Sequence, residues 1–135
     1  MDTASYEAEL AESWVDGRPE LRWRSTVGTG PEGSATASGT SLLEVDPGCA
    51  LARHTDSAEE LVVVVDGSAE VEVAGDRAAL GAGGVALVPQ DVPHQVRNAG
   101  ERPLRFVAVY ASTDVVTRYE APVQPGGERE RQTIG

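Results

Sequence analysis

The chain has no lysine, and all eleven of its basic residues are arginine. Schiff-base and other lysine-dependent chemistry is therefore excluded. A single cysteine, Cys49, excludes an internal disulfide and a cysteine-cluster zinc site. A lone thiol reads first as a small buried hydrophobe, although this one stands just before His54. Aromatic residues make up only 4% of the chain, and histidine occurs twice, so each imidazole is informative. No apolar run approaches the length that spans a bilayer. The opening Met1-Asp2-Thr3-Ala4-Ser5 lacks a basic segment followed by an apolar one, so the expectation is a soluble cytoplasmic protein. Cations are outnumbered by carboxylates, leaving a formal charge of −11. Such a surface repels phosphate backbones and anionic lipid, so neither nucleic acid nor membrane is expected as a partner. A small molecule is the partner class that remains.

A length of 135 residues suits one domain, and 40% hydrophobic residues suffice for a core. Fifteen glycines and eight prolines favour many turns and short strands over long helices. Ser41–Val45 reads as a strand stopped by Asp46-Pro47-Gly48. Leu61–Val65 is apolar throughout, which implies a strand covered on both faces, by the interior on one side and by a second sheet or a partner subunit on the other. Ala69–Val73 alternates with its glutamates outward, and Ala78–Leu80, Val85–Val88, His94–Asn98 and Leu104–Tyr110 complete the pattern. Seven or eight short strands without room for βαβ crossovers predict an all-β sandwich or barrel.

Residues 1–25 read as an N-terminal arm, in which Tyr6, Leu10 and Trp14 fall at the spacing of one amphipathic helical turn. Residues 26–120 form the expected barrel, and 121–135 a loose polar tail. The aromatic arm and the doubly apolar Leu61–Val65 run together predict a homodimer.

The chemistry concentrates between Gly48 and Asn98, where both histidines lie. On a strand His54 and Asp56 share a face, and Glu60 has the same parity unless Ser57-Ala58 bends the chain. His94, Val96 and Asn98 share another face. A carboxylate turned into a barrel interior costs several kcal/mol unless paired or bound to a cation. Two imidazoles with one or two carboxylates suit a divalent transition metal (Fe, Mn, Ni or Zn). His54, Asp56, Glu60 and His94 are thus the candidate metal ligands. Outside that set Glu59 is the one candidate for a general base, and a weak one.

These two segments resemble the two motifs of the cupin superfamily. Gly48, His54, Glu60 and Gly67 occupy the first motif's glycine, first histidine, glutamate and closing glycine. Gly83, Pro89, His94 and Asn98 occupy the corresponding places in the second. The resemblance covers residues 48–98 and implies a cupin-type double-stranded β-helix, or jelly-roll barrel, with a mononuclear metal site. There are two departures. Asp91 replaces the second motif's glycine, a substitution Asp tolerates in a left-handed turn. Asp56 stands where the family usually has a second histidine, so either Asp56 is itself a ligand or the site has lost its metal.

The resemblance implies an enzyme acting on a small organic molecule, by an oxygenase-type (dioxygenase) reaction or by Lewis-acid lyase, isomerase or decarboxylase chemistry. The alternative is a non-catalytic metabolite- or sugar-binding cupin. The His54, Asp56 and His94 set also has the two-His, one-carboxylate pattern of non-haem iron oxygenases. A 2-oxoglutarate-dependent enzyme would need an arginine for the co-substrate, but Arg105 alternates with Leu104 and Phe106 and is expected to face solvent.

Overall fold

The computed structural model describes residues 1–30 and 32–135. Among them twelve strands follow one another: β1 (Ala11–Val15), β2 (Arg18–Val27), β3 (Gly39–Val45), β4 (His54–Asp56), β5 (Glu60–Asp66), β6 (Ser68–Val73), β7 (Asp76–Gly81), β8 (Val85–Val88), β9 (His94–Asn98), β10 (Leu104–Tyr110), β11 (Val115–Val123) and β12 (Glu128–Ile134). They form two six-stranded sheets, ordered β1-β2-β3-β10-β5-β8 and β12-β11-β4-β9-β6-β7. The expected all-β jelly roll is what forms.

Period-two alternation decides which face of each strand is covered. In β10, Leu104, Phe106, Ala108 and Tyr110 are buried while Arg105, Val107 and Val109 are partly exposed. Val62 and Val64 of β5 meet them in the same interior, against Val96 and Val71 of the opposite sheet. Phe106, the one phenylalanine, is among the largest fully buried side chains. The close β5–β6 turn requires glycine at position 67. Its φ is +86°, and a Cβ there would lie 2.8 Å from the Pro103 carbonyl oxygen. Asp91 does adopt the left-handed conformation, with φ of 60°.

Leu61–Val65 is not covered on both faces within one chain. Leu61 and Val65 are 39% and 44% exposed, beside Val85 and Leu87 on β8. The reason is topological: β5 and β8 are the last two strands of the first sheet, and among the described residues no strand pairs beyond β8.

The expected helical turn through Tyr6, Leu10 and Trp14 does not form. Residues 11–15 instead pair antiparallel with β2 across Gly17, burying Ser13 and Val15. A single helical turn has too few hydrogen bonds to compete with a paired strand. Tyr6 packs on the outside of the first sheet, where its hydroxyl donates to the Phe106 carbonyl (2.6 Å), with the Leu43 carbonyl 3.1 Å away.

Nor is the C-terminal stretch loose. β12 pairs with β11 through Val115↔Ile134 and Arg118↔Glu130, and Ile134 is fully buried. Its polar composition hides a strand held by backbone pairing and one anchoring side chain.

On the outer face Arg24 bridges Glu44 and Asp46, and Arg105 donates from Nε to Glu44 (2.7 Å). Arg105 therefore stays on the outer surface, as its alternation implied. Burial works against ionisation of Glu44, but hydrogen bonds from Arg105 and Arg24 outweigh it and hold the carboxyl below its usual range. The hydrogen bond from Arg24 does the same for Asp46. A depressed folded-state value contributes stability that is present above the unfolded carboxylate range and lost as pH falls through the folded value. Arg24→Met is accordingly expected to lower stability most at neutral pH, with the difference from wild type shrinking as pH falls through the carboxylate range, as followed by urea unfolding at a series of pH values. A difference that does not depend on pH would remove this role from Arg24.

Candidate metal centre

A three-residue strand between two longer ones builds the site. β4 pairs with β11 on one side, setting Thr117 opposite Asp56 and Tyr119 opposite His54. On the other side it pairs with β9, setting His54 opposite His94. Because residues two apart share a face, His54 and Asp56 both enter the barrel. After Asp56 the chain bends through Ser57-Ala58 into the other sheet, where Glu60, the first residue of β5, faces back across the interior. All four side chains are buried, with exposures between 1% and 6%.

Backbone carbonyls fix both imidazoles. His54 Nδ1 lies 2.6 Å from the Ala52 oxygen, and His94 Nδ1 lies 2.9 Å from the Val92 oxygen. Each Nδ1–H therefore donates outward, and each Nε2 faces the interior, which is how metal-binding histidines are oriented. Thr117 Oγ1 donates to Asp56 Oδ1 at 2.6 Å, and the Asp91 amide donates to the Asp56 carbonyl at 2.9 Å.

Asp56 Oδ2 is different. It is buried and has no hydrogen-bond donor. His94 Nε2 lies 3.1 Å from it and also 3.1 Å from Glu60 Oε1. One N–H cannot aim well at both, and its geometry satisfies Glu60. The contact with Oδ2 is therefore one of charge. An unsatisfied buried acceptor costs about 1–3 kcal/mol, more when ionised, unless a cation serves it.

Titration follows from this packing. Burial pushes the His54 imidazole down to about 4, so it is neutral near pH 7. Burial also lifts the Glu60 carboxyl to about 7. Burial opposes a charge on His94, but the adjacent Asp56 and Glu60 carboxylates outweigh it and hold the imidazole up at about 10. Burial likewise opposes ionisation of Asp56, and the adjacent His94 overrides it, keeping that carboxyl below its usual range.

These residues fit a metal ion. The donor atoms of His54, Asp56 and His94 all lie within 4.8 Å of one another. Asp56 Oδ2 is 3.6 Å from His54 Nε2 and 3.1 Å from His94 Nε2. Donors about 2.1 Å from one ion are separated by about 3.0–3.4 Å at octahedral or tetrahedral angles. Glu60 is bonded to His94 rather than part of that close trio, yet it stands beside it. Nitrogen and carboxylate donors without thiolate leave the identity of the ion open.

The other residues singled out in the sequence lie elsewhere. Glu59 is exposed and borders a separate pocket with Ser38, Glu60 and Tyr110, which neither histidine lines. Cys49 is half-buried with Sγ near the Pro19 carbonyl and does not line the cavity beside Asp56. Asn98 is a fastener, its amide donating to the Val45 and Arg102 carbonyls at 2.9 Å. Thr117 and Tyr119 carry no sequence signal of a site. The β4–β11 register alone brings them to it. Tyr119 stacks near His54 (centroids 5.4 Å apart) and Trp23 (5.7 Å). Together with Tyr110 they line a cavity of about 320 Å³ that reaches His54 and Asp56.

Fold and site together define a small β-barrel protein with a buried His/Asp/His cluster that could hold a metal. The chain belongs to the cupin family: the cupin domain matches residues 41–110. No curated protein matches it. Among solved structures, a predicted oxalate decarboxylase of Thermotoga maritima is similar with a TM-score of 0.70 and 19% identity, over 83% of this chain and 99% of that one. KdgF from Halomonas sp. is similar with a TM-score of 0.65 and 16% identity, over 83% and 94%. The oxalate decarboxylase of Lactobacillus farciminis, in a formate complex, reaches 0.62 and 23% identity over 67% of this chain. The chain spans only 29% of the length of that protein. At these identities the likeness shows the fold alone. As for membranes, no helix among the described residues is long and apolar enough to cross one.

Proposed function

We propose that this protein is a metal-dependent cupin enzyme that acts on a small organic molecule at one divalent ion held by His54, Asp56 and His94, with Glu60 as fourth ligand. The observation that carries this reading is Asp56 Oδ2, a buried carboxylate oxygen with no hydrogen-bond donor, set between two Nε2 atoms. In such a donor set the ion, when bound, would supply Lewis-acid polarisation of a chelated oxygen pair, or oxygen activation if it is iron. The chain's own part is to turn both Nε2 atoms inward, His54 already neutral and His94 on release of its proton, to hold Asp56 by one oxygen so that the other points inward, and to enclose the reacting molecule. The oxygenase-type and the lyase, isomerase or decarboxylase reactions remain the classes this site suits, and fold alone does not choose among them.

The test is metal analysis of protein purified without chelator or affinity tag. About one equivalent of a first-row metal per chain is expected. A metal-free protein whose melting temperature ignores added Fe, Mn, Ni, Co and Zn would refute the reading. That result would favour a non-catalytic binding cupin, a reading supported by the closed His94–Glu60 contact, in which a proton does the work of a cation.

Two expectations accompany it. Thr117→Val removes the hydrogen bond that orients Asp56 and should weaken metal binding about 10- to 100-fold in a competition titration, as loss of a ligand's supporting partner does elsewhere. Affinity equal to wild type would show that Asp56 needs no such support. We further propose a homodimer formed over the exposed Leu61, Val65, Val85 and Leu87 face, since such contiguous apolar patches mark interaction surfaces. Light scattering at micromolar concentration checks this, and a monomer refutes it.

A further inference from the structure

The cavity beside Asp56 is rich in hydroxyls and aromatic rings and poor in free charge. At about 320 Å³ it lies at the small end of metabolite-sized pockets. Trp23 and Tyr119 present ring surfaces, and Ser41 and Tyr110 present hydroxyls, while Thr133, which donates to Thr117 Oγ1, is left as an acceptor.

Among the described lining residues Arg131 is the single cation, and it is already committed. Its Nε donates to Glu128 (2.9 Å), Nη1 to Ser13 Oγ (2.9 Å), and Nη2 to the carbonyls of Val123 (3.3 Å) and Pro125 (3.1 Å). Four of its five N–H groups are thus spent within the protein, and its charge is neutralised by Glu128. The adjoining outer cleft shares Val27, Gln132 and Thr133 with the cavity and carries Asp2 and Glu32 with no cationic side chain among its described residues. An anion approaching this way meets like charge first and an occupied guanidinium afterwards. A neutral ring with adjacent oxygens meets stacking surfaces and hydroxyls.

We propose that the cavity selects small uncharged ring compounds bearing neighbouring hydroxyl or carbonyl oxygens, and discriminates against the same rings carrying a carboxylate or phosphate. The proposal rests on the function above in taking this cavity as the ligand site. The aliphatic and aromatic sources of such a ring, a sugar or a phenol, share this chemistry, and the probes separate them.

The experiment is ligand-observed NMR titration of the full chain with two pairs: D-glucose against glucose 6-phosphate, and catechol against 3,4-dihydroxybenzoate. Each pair is run on zinc-supplemented and on chelator-treated protein. At least one neutral compound is expected to bind about tenfold tighter than its charged counterpart, with neither charged compound ahead of its neutral one. A charged compound that matches or exceeds its neutral counterpart, or the failure of both neutral compounds at millimolar concentration, overturns the proposal. Glu128→Gln, on a half-exposed residue, releases the Arg131 charge and should bring the ratio close to one. An unchanged ratio overturns the proposal as well. Because the chelator-treated arm needs no metal, a protein that binds no ion yet ranks the pairs as expected would remove the metal function and keep the ligand class. A zinc-loaded protein that fails to rank them would do the reverse.

Discussion

Replacement of His94 by alanine is expected to abolish stoichiometric metal binding and to destabilise the chelator-treated protein by about 3–5 kcal/mol. The two effects have one cause. His94 is 1% exposed and stands 3.1 Å from both Asp56 Oδ2 and Glu60 Oε1. Without it two buried carboxylates face each other across an apolar barrel with no cation between them. Metal content by elemental analysis and urea unfolding after chelation measure the two effects separately. Loss of stability with unchanged metal content would leave His94 a structural residue only. Two changes at Asp56 sharpen the result. Asp56→Asn keeps the shape but removes the anionic donor, so metal affinity should fall sharply while the fold survives, with His94 still paired to Glu60. Asp56→His restores the residue that the family resemblance leads one to expect and should retain the ion. Were Asp56→Asn to bind as wild type does, Asp56 would not be a ligand.

Ending the chain at Val123 is expected to give an unfolded or insoluble product, whereas trimming a loose tail would leave the fold intact. The deletion removes β12, exposes the edge of β11 and takes away Ile134, which is fully buried. Ile134 fills the space above Gly39, where an added Cβ would come within 2.7 Å of its Cγ2. The point substitution Ile134→Ala isolates this term and should cost about 2–5 kcal/mol, as aliphatic truncation in a packed interior does. The deletion also removes Arg131, whose guanidinium holds Ser13 of β1 and the Val123 carbonyl. The same deletion removes Gln124, and with it the paired Trp14–Gln124 backbone contact that also joins β1 to the second sheet. A soluble, cooperatively melting product ending at 123 would show that the barrel closes without β12.

Much of this protein was legible along the chain. The β-branched runs, the turn residues between them and the two glycine-bounded motifs determine an all-β barrel, because strand alternation and left-handed turns are local properties of residue type. They also determine which side chains are inward. His54 and Asp56 share a parity, as do His94 and Asn98, and all four are buried. What alternation could not show was pairing. Polar strands such as Glu128–Ile134 bury little of their own surface, so their register with β11 is set by backbone hydrogen bonds between segments distant in sequence. The same holds for Ala11–Val15, where a helical spacing of Tyr6, Leu10 and Trp14 was overridden by a neighbouring strand. Tertiary structure alone decided that Thr117 would hold one oxygen of Asp56 and leave the other without a donor. It likewise decided that Arg131 would be tied up at the cavity wall, and that the outer half of Leu61–Val65 would stay bare. Each of these depends on which groups meet across strands, and in a sheet that is a matter of register, which residue type at a single position does not specify.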